Sequence, residues 1–132
     1  MFAFLLNTAR SFHFREVENE TRMIRAIGGR NNVIAMYYKN GCNSCETLLT
    51  LLNRTAKIFQ NMTVLAINCM NYDNMMLCYN NQIDRYPTVH FYKARSRKPI
   101  LYNDIKCFEF IVDFVGKKTN QSYEFPIKER QY

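Results

Sequence analysis

The sequence predicts an α/β domain, with a central mixed β-sheet flanked by helices on both faces. Two nearly continuous apolar runs, Asn32 to Lys39 and Met62 to Asn68, have the character of strands buried on both sides. Between them, Cys42 to Gln60 carries apolar residues at helical spacing, so the two strands run parallel and are joined by a right-handed crossover. A later run, Thr88 to Lys93, leads through a turn into Ile100-Leu101-Tyr102, and this hairpin adds antiparallel pairing to the sheet.

The remaining elements follow the same logic. Phe12 to Val17 alternates apolar and polar residues as a strand does, and Asn19 to Ile27 reads as a short helix stopped by Gly28-Gly29. The helix from Cys42 to Gln60 places Leu48, Leu49, Leu51, Leu52, Ala56, Ile58 and Phe59 over a broad apolar face. A short helix from Tyr72 to Asn80 follows the second buried strand. The hairpin turn spans Ala94 to Pro99, and a last helix from Phe108 to Lys118 carries Phe108, Ile111, Val112 and Val115 at helical spacing.

A chain of 132 residues is one ordinary domain. With 48% hydrophobic residues, three prolines and four glycines, it is globular rather than disordered. The folded unit is expected over residues 12–118, with 119–132 as a C-terminal tail. Residues 1–11 are either a leader, with Met1 to Leu6 as its apolar part and Ala9 near a cleavage point, or a loosely packed start. No apolar run approaches the roughly 18 residues of a membrane span.

The formal charge is +7. Arg95, Arg97 and Lys98 fall in the hairpin turn, while Lys117, Lys118, Lys128 and Arg130 fall at a helix C-terminus and in the tail. Cations suit both places, through the helix dipole and through solvent. No aromatic-basic interleaving accompanies them, so nucleic acid is not an expected partner.

Chemistry is concentrated in Cys42-Asn43-Ser44-Cys45, where the first buried strand gives way to a helix. Two intervening residues let both sulfurs meet across the first helical turn, where free backbone N–H groups and the helix dipole favour a thiolate. A Cys-x-x-Cys is equally half of a zinc site, which needs a second pair or histidines to complete it. His13 and His90 both lie in alternating apolar runs, and the next cysteines, Cys69 and Cys78, are eight residues apart rather than roughly two to four. Redox chemistry is therefore the preferred reading, and no metal is expected.

The Cys42 to Cys45 motif, Tyr86-Pro87-Thr88 opening the late strand, and the order of elements from Phe12 to Lys118 together resemble the thioredoxin superfamily. Taken alone, Pro87 would pass as an ordinary first residue of a strand. The resemblance implies instead a cis Tyr86-Pro87 bond facing the active-site cysteines, at a cost of roughly 0.5 to 1 kcal/mol. It further implies Cys42 as nucleophile, Cys45 as the more buried resolving thiol, and Arg85, Tyr86, Pro87 and Thr88 as the wall that binds an extended substrate segment.

The run Ile67-Asn68-Cys69, Cys78, and Ile83 to Val89 resembles more narrowly the redox domain of quiescin sulfhydryl oxidases and secretory-pathway disulfide isomerases. That resemblance implies a structural Cys69–Cys78 disulfide; two buried free thiols are the alternative. Cys107 is expected as a core residue at the start of the last helix, with an intermolecular bridge as its other use. A flavin would require a further helical domain, for which 132 residues leave no room, so no cofactor is expected.

The pattern departs from the family in three places. Met36 stands six residues before Cys42, where a buried carboxylate often serves the second thiol, Gly41 replaces a tryptophan, and Asn43-Ser44 lacks the histidine of oxidising isomerases. These losses point to a weaker oxidant. Lys39 and Glu46 are nearby charges with opposing effects on a thiolate.

The expected function is thiol–disulfide exchange on cysteine-containing protein substrates, by a monomer working with a separate redox partner. The alternative is a non-catalytic binding or chaperone module in which Cys42–Cys45 is a static staple. The expected location is the secretory pathway, in the endoplasmic reticulum lumen or outside the cell, which suits disulfides. Four Asn-x-Ser/Thr sequons, at Asn19, Asn53, Asn61 and Asn120, lean the same way.

Overall fold

Strand β2 (Asn32–Tyr38) is buried along its whole length. Its side chains alternate between two cores, since successive strand residues point to opposite faces. Ile34, Met36 and Tyr38 enter one core, and Val33, Ala35 and Tyr37 enter the other. This is a computed structural model, and it describes residues 14–124.

β2 sits at the centre of a five-stranded sheet ordered β1-β3-β2-β4-β5. β1 (Phe14–Val17) and β2 both pair in parallel with β3 (Met62–Asn68), while β4 (Thr88–Tyr92) pairs antiparallel with β2 and with β5 (Ile100–Leu101). Helices α2 (Asn43–Ile58) and α4 (Phe108–Thr119) cover the first face through Leu48, Leu49, Leu52, Ile111, Val112 and Val115. Helices α1 (Glu20–Ala26) and α3 (Met75–Asn80) cover the second face through Met23, Leu77 and Cys78. Each such aliphatic side chain contributes about 1.5–3 kcal/mol when fully buried. The predicted α/β class and mixed sheet are the observed ones.

Differences lie at the element ends. Phe12 and His13 of the predicted first strand, the leader residues, Lys128 and Arg130 lie outside the described residues. The helix predicted from Tyr72 begins as a 3-10 turn, Tyr72–Asn74, because the Asn71 side chain accepts from the Asp73 N–H at 3.0 Å and tightens the entry. Past α4, Tyr123 packs its ring on Phe59 with centroids 5.6 Å apart.

The basic hairpin turn is tied to the end of α1. The Arg95 N–H donates to the Gly29 carbonyl at 2.7 Å and the Arg97 guanidinium donates to the Ile24 carbonyl at 2.6 Å, satisfying a C-terminal helix carbonyl. Gly28 is needed beneath it: at φ +82, a Cβ there would meet the Arg97 side chain at 2.8 Å.

Candidate functional site

The parallel strands β2 and β3 finish at the same edge of the sheet, and the site is assembled there. After Tyr38 the chain turns through Gly41, which takes φ +78, and α2 begins with Cys42 as its N-cap. Cys42 makes no side-chain capping bond, so its sulfur is free for other chemistry at the positive end of a 16-residue helix.

Cys42 and Cys45 are joined, with an S–S distance of 2.10 Å and Cα atoms 5.3 Å apart. Their environments differ. Cys45 is fully buried on the α2 side of the sheet, whereas Cys42 is partly exposed and its sulfur lies 3.6 Å from the Ser44 hydroxyl. Tyr38, Lys39, Asn40 and Glu46 line a small cavity of about 140 Å³ beside Cys42.

The Tyr86–Pro87 peptide bond is cis. Register sets Thr88 beside Tyr37, so this bend lies at the sheet edge from which the Cys42 loop departs. The Thr88 hydroxyl donates to the Arg85 carbonyl at 2.7 Å and closes the bend, while Arg85 itself is exposed. The Lys39 ammonium lies 5.4 Å from the Tyr86 ring centroid, a cation–π contact between the two loops.

Cys69 and Cys78 are also joined, at 2.07 Å, with Cα atoms 5.9 Å apart, and both are buried. The Cys69 N–H donates to the Tyr38 carbonyl at 2.8 Å, which sets this bridge directly beside the end of β2. Cys107 is a free thiol at the N-cap of α4, half-buried rather than in the core. The helix starts one residue later, so its side chain stays at the rim. Among the described residues no group of three or more His, Cys, Asp or Glu is arranged to hold a metal, and His13 lies outside them.

Sequence reading missed two features. The first is Asn53, which is 2% exposed and donates to the Leu49 carbonyl at 3.0 Å, so its sequon faces the core. The second is a carboxyl group on the α2 face of the sheet: Glu16 accepts a hydrogen bond from the Tyr38 hydroxyl. Register aligns Glu16 with Ala66 and Ala66 with Met36, so Glu16 and Met36 share one row across three strands. Desolvation raises the Glu16 pKa above its ordinary 4.5, opposed by the Tyr38 hydrogen bond. Only strand register reveals this pair, since β1 and β2 are distant in sequence.

A mixed sheet whose central strand feeds a disulfide at a helix N-terminus, beside a strand opened by a cis X-Pro bond, defines an α/β domain built around a vicinal cysteine pair. The chain belongs to the thioredoxin family, whose model, described as Thioredoxin, matches residues 15–117. Over 118 residues it is 22% identical to the thioredoxin domain-containing protein 5 homolog of Drosophila melanogaster, covering 86% of this chain and 27% of the relative. It is also 22% identical over 107 residues to the protein disulfide-isomerase tigA of Aspergillus niger, covering 79% of this chain and 30% of that one. The chain thus spans less than a third of either relative. A crystal structure of the Trx4 domain of ERdj5 superposes with a TM-score of 0.68 at 17% identity, covering 81% of this chain and 96% of that domain, which supports the fold.

Proposed function

We propose that this chain is a thiol–disulfide oxidoreductase domain acting on cysteine-containing polypeptides. The observation that carries the reading is the asymmetry of the Cys42–Cys45 pair, with one sulfur accessible at a helix N-terminus and the other buried behind it. A thiolate at Cys42 attacks one sulfur of a substrate disulfide, forming a mixed disulfide and expelling the other sulfur as a thiolate. Cys45, as thiolate, then attacks the Cys42 sulfur and expels the second substrate thiolate. Two electrons pass to the substrate, and Cys42–Cys45 is left oxidised, the form seen here. A separate redox partner restores the dithiol.

The N–H groups at the start of α2 stabilise the Cys42 thiolate, while Glu46 in the first turn opposes it. Arg85, Tyr86, cis Pro87 and Thr88 act as the wall along which an extended substrate segment lies. Cys69–Cys78 acts as a structural brace. Residues 12–118 are the working unit. We place the domain in the secretory pathway, as a monomer. Two disulfides in one small domain suit an oxidising compartment, and one relative is named a protein disulfide-isomerase.

Fully buried Met36 favours slow turnover, and its extreme is a binding module with a static Cys42–Cys45 staple. Titration in glutathione buffers with an insulin-reduction assay separates the two. Exchange is expected within the glutathione range, and Cys42→Ser should abolish it while leaving the fold intact. Activity that survives Cys42→Ser overturns the nucleophile assignment, and a bond inert in every buffer overturns the enzyme reading.

A further inference from the structure

A cavity of about 580 Å³ opens on the α1 face of the sheet, where Val17 and Leu65 line it. It reaches the end of β2 that lies far from Cys42. Asn31, also in its wall, directly precedes β2, and the seven residues of that strand, at about 3.3 Å each, separate Asn31 from Cys42 by roughly 20 Å. Four arginines converge on the cavity from three parts of the chain: Arg15 from β1, Arg22 and Arg25 from α1, and Arg30 from the turn that enters β2. These are four of the chain's ten arginines, and no lysine precedes Lys39, so the cluster is built of guanidinium groups alone. All four are exposed.

Carboxylates do not balance them. Glu16 also lines the cavity, but its carboxyl group lies on the other face of the sheet, where it accepts from the Tyr38 hydroxyl. Glu18 meets Arg22 at 4.0 Å with both side chains mostly exposed, a pair that contributes little. Among the described residues no carboxylate pairs with Arg15, Arg25 or Arg30. Arg22 and Arg25, three residues apart on one helix, repel each other. Like charges gathered in this way cost stability unless an anion joins them.

The frame around the four side chains is fixed. Arg95 in the hairpin turn donates its N–H to the Gly29 carbonyl at 2.7 Å, next to Arg30, and Arg97 holds the Ile24 carbonyl at 2.6 Å, next to Arg25. The Asn31 side chain donates to the Thr63 hydroxyl at 3.0 Å, and that hydroxyl keeps its own proton for a further acceptor. A guanidinium presents a planar fork that matches two oxygens of a phosphate. Four forks offer more donors than one carboxylate can accept, and the volume falls within the roughly 300–1,000 Å³ of small-ligand sites. Among the described residues no aromatic side chain lines the cavity, so nothing there stacks on a base.

We propose that this cavity, separate from the redox site, binds a compact polyanion carrying two or more phosphate groups. A free polyphosphorylated molecule and a lipid headgroup share this chemistry, and the test separates them.

The full chain is titrated with inositol hexakisphosphate and with inorganic pyrophosphate by calorimetry in about 150 mM salt, where the Debye length is about 8 Å and distant charges are screened. Arg25→Gln and Arg30→Gln, made singly and together, change exposed side chains and leave both cores intact. The double variant is expected to weaken binding of both probes by about tenfold or more. Lys106→Gln with Lys117→Gln removes the same charge on and just before α4, the helix of the opposite face, and is expected to leave the affinity unchanged. Phosphatidylcholine vesicles carrying phosphatidylinositol bisphosphate identify the source. Sedimentation with them that inositol hexakisphosphate reverses assigns the site to a headgroup, and probe binding without sedimentation assigns it to a free molecule. Absence of probe binding overturns the site, as does equal weakening by the lysine pair. Polyglutamate that binds as tightly as inositol hexakisphosphate, with the same dependence on Arg25 and Arg30, overturns the phosphate class in favour of an acidic peptide.

Discussion

The Tyr38 hydroxyl reaches across β3 and donates to the Glu16 carboxylate on β1. Ala66, the residue of β3 aligned with Glu16, carries only a methyl group and leaves this passage clear. Glu16 keeps solvent contact as a residue, yet its carboxyl end is desolvated against the sheet, which raises its pKa above 4.5. A carboxyl raised on folding contributes stability that is fully present below the unfolded pKa and is lost as pH rises through the folded value. Glu16→Gln keeps an acceptor for Tyr38 and removes the titration. Urea unfolding should show the variant gaining stability relative to the parent as pH rises from 4.5 towards neutrality. A difference that stays constant over that range would remove the folded-state shift.

His90 predicts the opposite slope at higher pH. It is 7% exposed, its Nδ1 has no hydrogen-bond partner, and its ring meets Tyr37 and Tyr92 edge-on at 5.2 and 6.3 Å. Desolvation lowers its pKa below 6.5. The unfolded chain therefore binds the proton first, and stability falls as pH drops from 6.5 towards the folded value. His90→Phe, close in volume and without the titrating ring, is expected to flatten this part of the pH–stability curve. A parent curve already flat between pH 6.5 and 5, once the Glu16 slope is removed with Glu16→Gln, would refute the assignment.

Of the four sequons, Asn53 should carry no glycan on the folded protein. Its side chain is buried and bonded to the Leu49 carbonyl, whereas Asn61 and Asn120 are exposed at left-handed turns with φ of 55° and 56°. Intact-protein and peptide mass spectrometry of the alkylated chain, expressed through the secretory pathway of a host cell, reads site occupancy directly. A glycan on Asn53 of native protein would contradict the burial.

Removing the second bridge should loosen one segment rather than the whole domain. Cys69→Ala with Cys78→Ala is expected to lower stability by about 2–3 kcal/mol, the scale for a short closed loop. Amides of residues 70–80 should exchange faster with deuterium, while those of β2 stay protected. Uniform loss of protection across the sheet would mean that the bridge supports the global fold.

Fold class is legible in the sequence because it rests on local periodicity. β2 and β3 read as continuous apolar runs, and α2 and α4 as repeating stripes, since burial on two faces or on one leaves those patterns in adjacent residues. Element ends are less legible. Asn71 diverts the entry to α3 into a 3-10 turn, and Asn32 holds the Ala94 N–H at 2.8 Å just past β4, both through side-chain bonds that carry no periodic signal.

Within the site, the Cys42 to Cys45 spacing and Tyr86-Pro87 are short motifs and can be read along the chain. Tertiary structure alone decides the rest. It turns Asn53 inward, brings Glu16 to Tyr38 across a strand, fastens Arg97 to the end of α1, and leaves Met75, Met76 and Tyr79 facing solvent. The physical reason is common to all four. Hydrophobic periodicity says which residues share a face of their own element, but which elements meet, and in what register, is settled only when the two cores close around β2.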